Sequence, residues 1–348
     1  MSNPPPGIVS ASYFASLCDK LAAERVDVEA LLRLARLDAG RLARAGEMLS
    51  HAEVEAFVTA ARQLTGRTDI AFEMGRGIKM NSHDVLGYAM ISCKNLDQVM
   101  RLVSRHYHLM TTLFTLRYRR QGGIGEAVYT PTATMAPELL RFYLEAIAVA
   151  HQNQLASLLG GNATGYAIPV AIPPPAHHGR YFRLAPARFH FNDRAIPGVR
   201  AVMDATILDA LLPMAALRVV EQVEERLAAQ RVRAAPERDW GAFVRMMLRE
   251  SRGVQLTLDD IAGRLQVSPR TVERSLKKEK LGFRELSQQQ MHETACELLR
   301  AKGATVSQVS ALLGFSAVSS FSRAFRRVGG IGPAEFLASE QAPSPLGD

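Results

Sequence analysis

The sequence predicts an α+β N-terminal domain, mixed helices with a small sheet, joined to an all-α C-terminal domain of two helix-turn-helix units bridged by a long helix. Three observations predict it. A short pattern occurs twice in the last third of the chain. Ile261-Ala262-x-x-Leu265-x-Val267-Ser268 returns 48 residues on as Val309-Ser310-x-x-Leu313-x-Phe315-Ser316, and each copy runs into an arginine-bearing segment of helical period. Before residue 210 or so, capped helical runs give way to β-branched and aromatic runs of strand length. Between the two regions, Ala234-Ala235-Pro236 breaks a helical pattern and marks a boundary.

The 348 residues suit two domains better than one. A hydrophobic share of 47% with 22% charged residues describes a globular chain, and no apolar stretch is long enough to span a bilayer. The formal net charge is +8 and the pI about 9.6, which suits a polyanionic partner. The placement of that charge says more. Arg264, Arg270, Arg274, Lys277, Lys278, Lys280 and Arg284 are opposed only by Glu273 and Glu279. Cys18, Cys93 and Cys296 lie far apart with no C-x-x-C pair, which reads as a reducing compartment without a disulfide framework. Met1-Ser2-Asn3-Pro4-Pro5-Pro6 lacks a basic start followed by an apolar run, so a cytoplasmic location is the reading.

In chain order, residues 1–10 are Pro-rich and read as disordered, and 11–214 form the first domain. Ser50 and Glu53 make a capping-box pair ahead of a helix ending at Gly66, and Asn95 caps a helix over 96–110. Leu113 to Arg119 and Glu126 to Thr130, split by Gly122-Gly123, read as a hairpin. Pro137 opens a long helix running to about Leu159, and Ala167 to Ile172 and Arg188 to Phe191 read as two more strands. Residues 215–236 hold a helix and linker, with Leu217, Val220, Val223 and Leu227 along one side; such a stripe is core or a dimerisation surface. Residues 237–338 form the second domain, and 339–348 read as a disordered tail.

That second domain opens with a helix from Trp240 to Arg249. In the first repeat Ile261, Ala262 and Leu265 face inward, and Ala262 is small because two helices cross there. Val267 plugs the turn, Ser268 is a good N-cap and Pro269 a good first helical residue. Val272 and Leu276 then point inward, leaving Arg270, Glu273 and Arg274 on the outward face. Arginine bonds guanine in bidentate fashion in the major groove, and glutamate accepts from the cytosine amino group. Glu273 reads cytosine in this way or pairs with a neighbouring lysine. Ser268, Thr271 and Lys277 are placed to hold phosphates. A long helix from about Phe283 to Arg300 follows. The second unit starts at Thr305, with Val306, Val309, Leu312 and Leu313 inward and Gly314-Phe315 as its turn. Phe321 and Phe325 pack its second helix, leaving Val318, Ser319, Ser320 and Arg323 outward, with Ser316, Ser322 and Arg326 as phosphate contacts. The registers differ by one residue, because Val272 plus the repeat length falls on Ser320 and not Phe321.

Residues 240–338 resemble the AraC/XylS family of bacterial transcription regulators. The most specific stretch runs from Ala311-Leu312-Leu313-Gly314-Phe315 through Phe321-Ser322-Arg323-Ala324-Phe325-Arg326-Arg327 to Gly332-Pro333-Ala334-Glu335-Phe336. The resemblance implies two second helices placed in successive major-groove turns of promoter DNA, with RNA polymerase as a partner if the protein activates. Departures are the bridging helix, which reads Met291-His292-Glu293-Thr294-Ala295-Cys296-Glu297 where the family is usually basic, and Gly332 and Phe336-Leu337 near the end. The N-terminal domain is similar to the effector-binding and dimerisation domain of one branch of the family through Asp84-Val85-Leu86-Gly87-Tyr88-Ala89, Asn95-Leu96 and Arg105-His106-Tyr107. That implies a homodimer and a small-molecule effector of unknown identity. Tyr88, Met90, Tyr107, Met110, Phe114 and Tyr143 line its pocket or form the core.

No cofactor is expected. His106, His108, His177 and His178 invite a metal or haem reading, but no carboxylate or cysteine stands at ligand spacing beside them. His83-Asp84 and Glu145 with His151 suggest no catalytic arrangement, and no G-x-S-x-G, P-loop or G-x-G-x-x-G is present. A DNA-repair methyltransferase carrying this type of DNA-binding region would need an activated cysteine, and a haem-based gas sensor is the third reading.

Overall fold

Period-two burial builds the sheet of the first unit. The computed structural model describes residues 9–44, 46–160, 165–192, 195–216, 220–223, 239–251, 254–265, 267–301 and 303–341. The chain divides into two compact units, the larger holding most of the chain up to Arg238 and the smaller the chain from Asp239 onward. The first unit begins with β1 (Val9–Ser10), α1 (Ala11–Ala23), α2 (Val28–Ala35), α3 (Ala39–Leu42) and β2 (Met48–Leu49). Helices α4 (His51–Thr65), α5 (Ile70–Gly77), α6 (Asp84–Ser92) and α7 (Leu96–His106) follow. Then come β3 (Phe114–Gln121), β4 (Ile124–Pro131), α8 (Pro137–Leu158), β5 (Tyr166–Val170), β6 (Ala187–Phe191), β7 (Val199–Asp204) and α9 (Ala205–Leu208). The large sheet has the order β3-β4-β7-β5-β6, antiparallel except where β5 meets β6.

Local chemistry explains the element ends. Ser50 Oγ accepts from the Glu53 N–H while Glu53 Oε2 accepts from the Ser50 N–H at 2.7 Å, and Gly66 closes α4 at φ 62°. Gln121 pairs with Ile124 across a two-residue loop, and Gly122 takes φ 58° there, a conformation that costs glycine nothing. β7 was not expected. It alternates buried Val199, Ala201 and Met203 with outward Arg200 and Asp204, and Arg200 donates to Glu126 on β4 at 2.7 Å. Three expected boundaries move. The Asn95-capped helix stops at His106, because Tyr107–Leu109 tightens into a 3-10 turn and the Thr111 hydroxyl takes the Leu113 N–H at 3.1 Å. Val9 and Ser10 are ordered, because Val9 pairs with Leu49 and bridges to Thr111. Of the helix expected over 215–231, residues 220–223 are helical with Val220 and Val223 buried, while Leu217, Leu227 and the Ala234-Ala235-Pro236 break lie outside the described residues, as do the ends 1–8 and 342–348.

The second unit is helical throughout its named elements: α10 (Trp240–Glu250), α11 (Leu258–Leu265), α12 (Pro269–Lys278), α13 (Phe283–Arg300), α14 (Val306–Leu312), α15 (Val318–Gly329) and α16 (Pro333–Gln341). Helix α13 packs against α10 and against the second repeat. Leu286 is buried towards its start, while Ala295, Cys296 and Leu299 join Val309, Phe321 and Phe325 in one apolar cluster. The inward stripe of α14 is Val306, Val309, Ser310 and Leu313, spaced i, i+3, i+4, i+7; Leu312 falls off that stripe and is 38% exposed, against expectation. Residues 339–341, expected in the tail, belong to α16, which is held by Arg300 paired with Glu340 at 3.1 Å.

Helix α5 lies against α8 closely enough that only glycine fits at position 75. A Cβ there would stand 2.7 Å from the Ala146 carbonyl oxygen and 2.7 Å from Val149 Cβ. Gly75→Ala gains about 1 kcal/mol of helix propensity, but the clash is with backbone and cannot relax locally. The net effect expected is a loss of roughly 1–3 kcal/mol, read as a lower melting temperature of the full chain. A variant as stable as the parent would refute the close crossing.

Candidate nucleic-acid interface and internal cavity

The two repeats close their turns in the same way. The Val267 N–H donates to the Ala262 carbonyl at 3.1 Å, and the Phe315 N–H to the Ser310 carbonyl at 3.0 Å. Ala262 and Ser310 are both small and buried at the helix crossing. Beyond the turn the repeats diverge. Ser268 caps α12, its Oγ accepting from the Thr271 N–H at 3.1 Å, with Pro269 next. In the second repeat the matching Ser316 lies one residue too early. Ala317 takes the cap position and has no side-chain acceptor. This inserted residue is the source of the one-residue shift between Val272 and Phe321, which are both fully buried.

On α12 Arg270, Glu273 and Arg274 are exposed on one face. Glu273 pairs with Lys277 one turn on, at 3.4 Å. Ser268 and Thr271 lie at the helix start with their hydroxyls 2.8 Å apart. Glu279 is removed from this face, since its carboxylate accepts from the Trp240 and Gly241 N–H groups at 2.9 and 2.8 Å and so caps α10. On α15 Val318 is 41% exposed, Ser319 and Arg323 are exposed and Ser320 is half-buried. Arg323 folds back along its own helix to the Ser319 carbonyl at 3.4 Å. Ser316 and Arg326 are exposed and Ser322 half-buried.

The first unit encloses a cavity of about 90 Å³. Met90, Tyr107, Met110, Phe114 and Tyr143, five of the six side chains singled out in the sequence, line it. Tyr88 does not. The inward stripe of α6 is Leu86, Ala89 and Met90, which turns Tyr88 outward to 54% exposure. One stripe of α8 supplies much of the wall: Tyr143, Ile147, Ala150, His151, Gln154, Leu155 and Leu158. That stripe was readable as helical period, yet only Tyr143 was picked from it. Polar groups missed in the sequence come together in the wall. Gln154 donates to His83 Nε2 at 2.7 Å and His83 Nδ1 meets the Tyr13 hydroxyl at 2.9 Å. His151 Nδ1 meets the Tyr129 hydroxyl at 2.8 Å. Burial pulls both histidines down to about 4, so both rings are uncharged near neutrality.

The other candidate groups serve structure. Glu145 Oε1 holds His177 at 2.5 Å and the Tyr181 hydroxyl at 2.7 Å. His106 and His108 stand ring to ring at 6.2 Å, and His178 donates to the Pro175 carbonyl at 3.2 Å. Among the described residues no three of His, Cys, Asp and Glu converge on a metal position. Burial pushes the Cys18 thiol up to about 12 and raises that of Cys296 as well, the reverse of nucleophile activation. No helix of the described residues is long and apolar enough to cross a membrane.

Comparison with known proteins agrees with both halves. Residues 26–212 match the arabinose-binding domain of AraC transcription regulators, and residues 261–339 a helix-turn-helix domain. An HTH-type transcriptional regulator of Mycobacterium tuberculosis is 28% identical over 80% of this chain and 82% of its own length. The ornithine utilization regulator of Pseudomonas aeruginosa is 22% identical over 94% of this chain and 96% of its own. The crystal structure of the transcriptional regulator CdpR from Pseudomonas aeruginosa covers 97% of this chain and 100% of its own, at 17% identity and a TM-score of 0.45.

Two outcomes follow from the cap and the cavity wall. Ser268→Ala should cost about 1 kcal/mol and Ala317→Ser should gain a similar amount in thermal melts of the full chain; equal responses would refute the difference between the repeats. His151 ionises at about 4 when folded, against its ordinary 6.5. The unfolded chain therefore binds the extra proton between those values, and stability present above pH 6.5 is lost as pH falls towards 4, by roughly 3 kcal/mol for this ring. The melting temperature should drop on acidification from neutrality, and drop less in His151→Phe.

Proposed function

This chain belongs to the family of AraC transcription regulators, and from that premise we propose that it is an effector-controlled, homodimeric reader of promoter DNA in which the first repeat supplies most of the base specificity. DNA binding through the helix-turn-helix region comes with the family. The proposed division of labour keeps residues 11–214 for effector and dimer, 215–236 as helix and linker, and 237–338 for DNA. The observation that carries the reading is the exposed face of α12, where Arg270 and Arg274 stand clear of the core and Lys277 extends the same side.

In this reading α12 enters the major groove with Arg270 and Arg274 towards base edges, and Ser268, Thr271 and Lys277 towards phosphates. Glu273 orients Lys277 as well as reaching a cytosine, since the two are already paired. Helix α13, with 18 residues, is about 27 Å long, comparable with the roughly 34 Å between successive major-groove turns. It lets α15 reach the next turn, where Val318, Ser319, Ser320 and Arg323 face the bases and Ser316, Ser322 and Arg326 the backbone. The short side chains of Val318, Ser319 and Ser320 make that second contact an anchor more than a reader. A molecule bound in the cavity acts by differential affinity for the forms of the dimer that bind promoter well and badly, so effector and promoter affect each other reciprocally.

Arginine substitution tests the reading. Arg270→Ala or Arg274→Ala should cost roughly 1–3 kcal/mol of promoter binding and relax specificity at one base pair, while Lys277→Ala weakens all sequences about equally. Anisotropy titrations against the cognate promoter and its single-base variants measure both. Loss of affinity with unchanged base preference in both arginine variants would remove α12 as the reading helix.

A further inference from the structure

Resting on the reading of the cavity as the effector site, we propose that it takes a small, uncharged, mainly apolar molecule carrying a hydroxyl or carbonyl group, and neither a sugar nor an ion. Three features of the wall lead there. The first is charge. Among the described residues the lining contains no Asp, Glu, Lys or Arg. A carboxylate or ammonium entering it would lose its hydration and meet no partner, a cost of several kcal/mol. The two lining histidines do not change this, because burial holds both neutral.

The second feature is which polar groups are already committed. Tyr13, His83 and Gln154 form one bonded chain, and Tyr129 with His151 Nδ1 a second. A sugar carries a hydroxyl on nearly every carbon and would strip water from all of them for few bonds in return. Apart from Thr111, whose hydroxyl takes the Leu113 N–H at 3.1 Å, the rest of the wall is aliphatic, aromatic or thioether, with Met74, Met90, Met100 and Met110 among it. Thioether side chains adapt to irregular apolar shapes. A cavity of about 90 Å³ is smaller than the roughly 150 Å³ that holds benzene in an engineered protein, so their movement sets the size of molecule admitted.

The third feature is what is left over. Among the described residues the Tyr143 hydroxyl and His151 Nε2, both buried in this wall, have no hydrogen-bond partner. Tyr143 is 5% exposed and His151 3%. Both lie on α8, eight residues apart on the same stripe. Whether His151 Nε2 donates or accepts depends on which way the Tyr129 bond runs, and a ligand hydroxyl satisfies either case. The Tyr143 phenol likewise both donates and accepts. The site is therefore apolar with two waiting hydrogen-bond points.

The test uses the full-length chain at neutral pH, with phenol, benzene, benzoate and L-arabinose as probes in calorimetry and thermal melts. Phenol should bind and raise the melting temperature, benzene should bind more weakly, and benzoate and arabinose should do neither. Tyr143→Phe removes only an unpartnered oxygen, so it should fold with undiminished stability. Either it or His151→Phe should weaken phenol about tenfold, the worth of one hydrogen bond, and leave benzene unchanged. Benzoate or arabinose binding as well as phenol overturns the assignment, as does failure of phenol to bind at all. Promoter affinity, followed separately by anisotropy, distinguishes this proposal from effector control. Phenol held in the cavity with promoter affinity unmoved removes effector control and leaves the chemistry of the cavity standing. Arabinose shifting promoter affinity does the opposite.

Discussion

The DNA-reading half of this protein depends on one helix being buried from two sides. Helix α13 packs along α10, which itself meets α12 of the first repeat, and gives Ala295, Cys296 and Leu299 to the cluster that holds Phe321 and Phe325. Two-helix units of this size have little core of their own, so the second repeat takes a wall from α13 and the first is tied to it through α10. The departures in the bridging sequence make sense in this light. Where relatives of this type are usually basic, His292 lays its ring 4.4 Å from that of Phe325, and burial lowers its proton affinity so that it packs as a neutral aromatic. Gly329 leaves room for it, since a Cβ there would come within 2.2 Å of His292 Nε2. Phe336 packs its ring on Phe325 and beneath the Arg300 guanidinium.

The same arrangement explains why the repeats are unequal. Both preserve the crossing, through Ala262 and Ser310, and both preserve the backbone bond that closes the turn. The single residue inserted after Phe315 shifts the start of α15 past its serine, so the cap is lost and the register turns by one position. Counted from the cap, the core pair keeps its place, Val272 and Leu276 against Phe321 and Phe325, so Ser319, Ser322 and Arg323 stand where Arg270, Glu273 and Arg274 stand on α12. Arg270 and Glu273 have only serines as counterparts there, and Arg323, the counterpart of Arg274, turns its guanidinium to its own helix. Packing was conserved between the copies and surface chemistry was not, as expected where a fold is constrained on one side only.

The C-terminal domain was legible because its signals are local. Caps, the 48-residue repeat and i, i+4 pairs of apolar residues fix α12 at Pro269–Lys278 and α13 at Phe283–Arg300 from sequence alone. The first unit was less legible because its decisive contacts are long-range. β7 alternates plainly, yet its place between β4 and β5 depends on pairing with segments far away in the chain. The ordering of Val9 depends on Leu49 and Thr111. Aromatic content suggested the cavity, and that criterion admitted Tyr88, whose neighbours Leu86 and Met90 turn it outward. It missed His83, His151 and Gln154, because nothing in a linear sequence tells a partnered polar residue from a waiting one.

That last distinction bears on why the cavity has the composition it does. A stable core with Tyr143 and His151 in it would be easier to build with their polar atoms bonded, since a buried group without a partner costs roughly 1–3 kcal/mol. Replacing both by apolar residues of the same shape would remove that cost and strengthen the empty protein. Their presence therefore works against the stability of the empty form and, on the proposed reading of the cavity, in favour of a liganded one. A molecule that bonds them gains more than its own burial, because it also removes a penalty already built into the protein. This gives a small ligand leverage beyond its size. It also ties the ligand's chemistry to the free-energy difference between two states of the domain, which is the quantity an effector must change if it is to act on DNA binding at all.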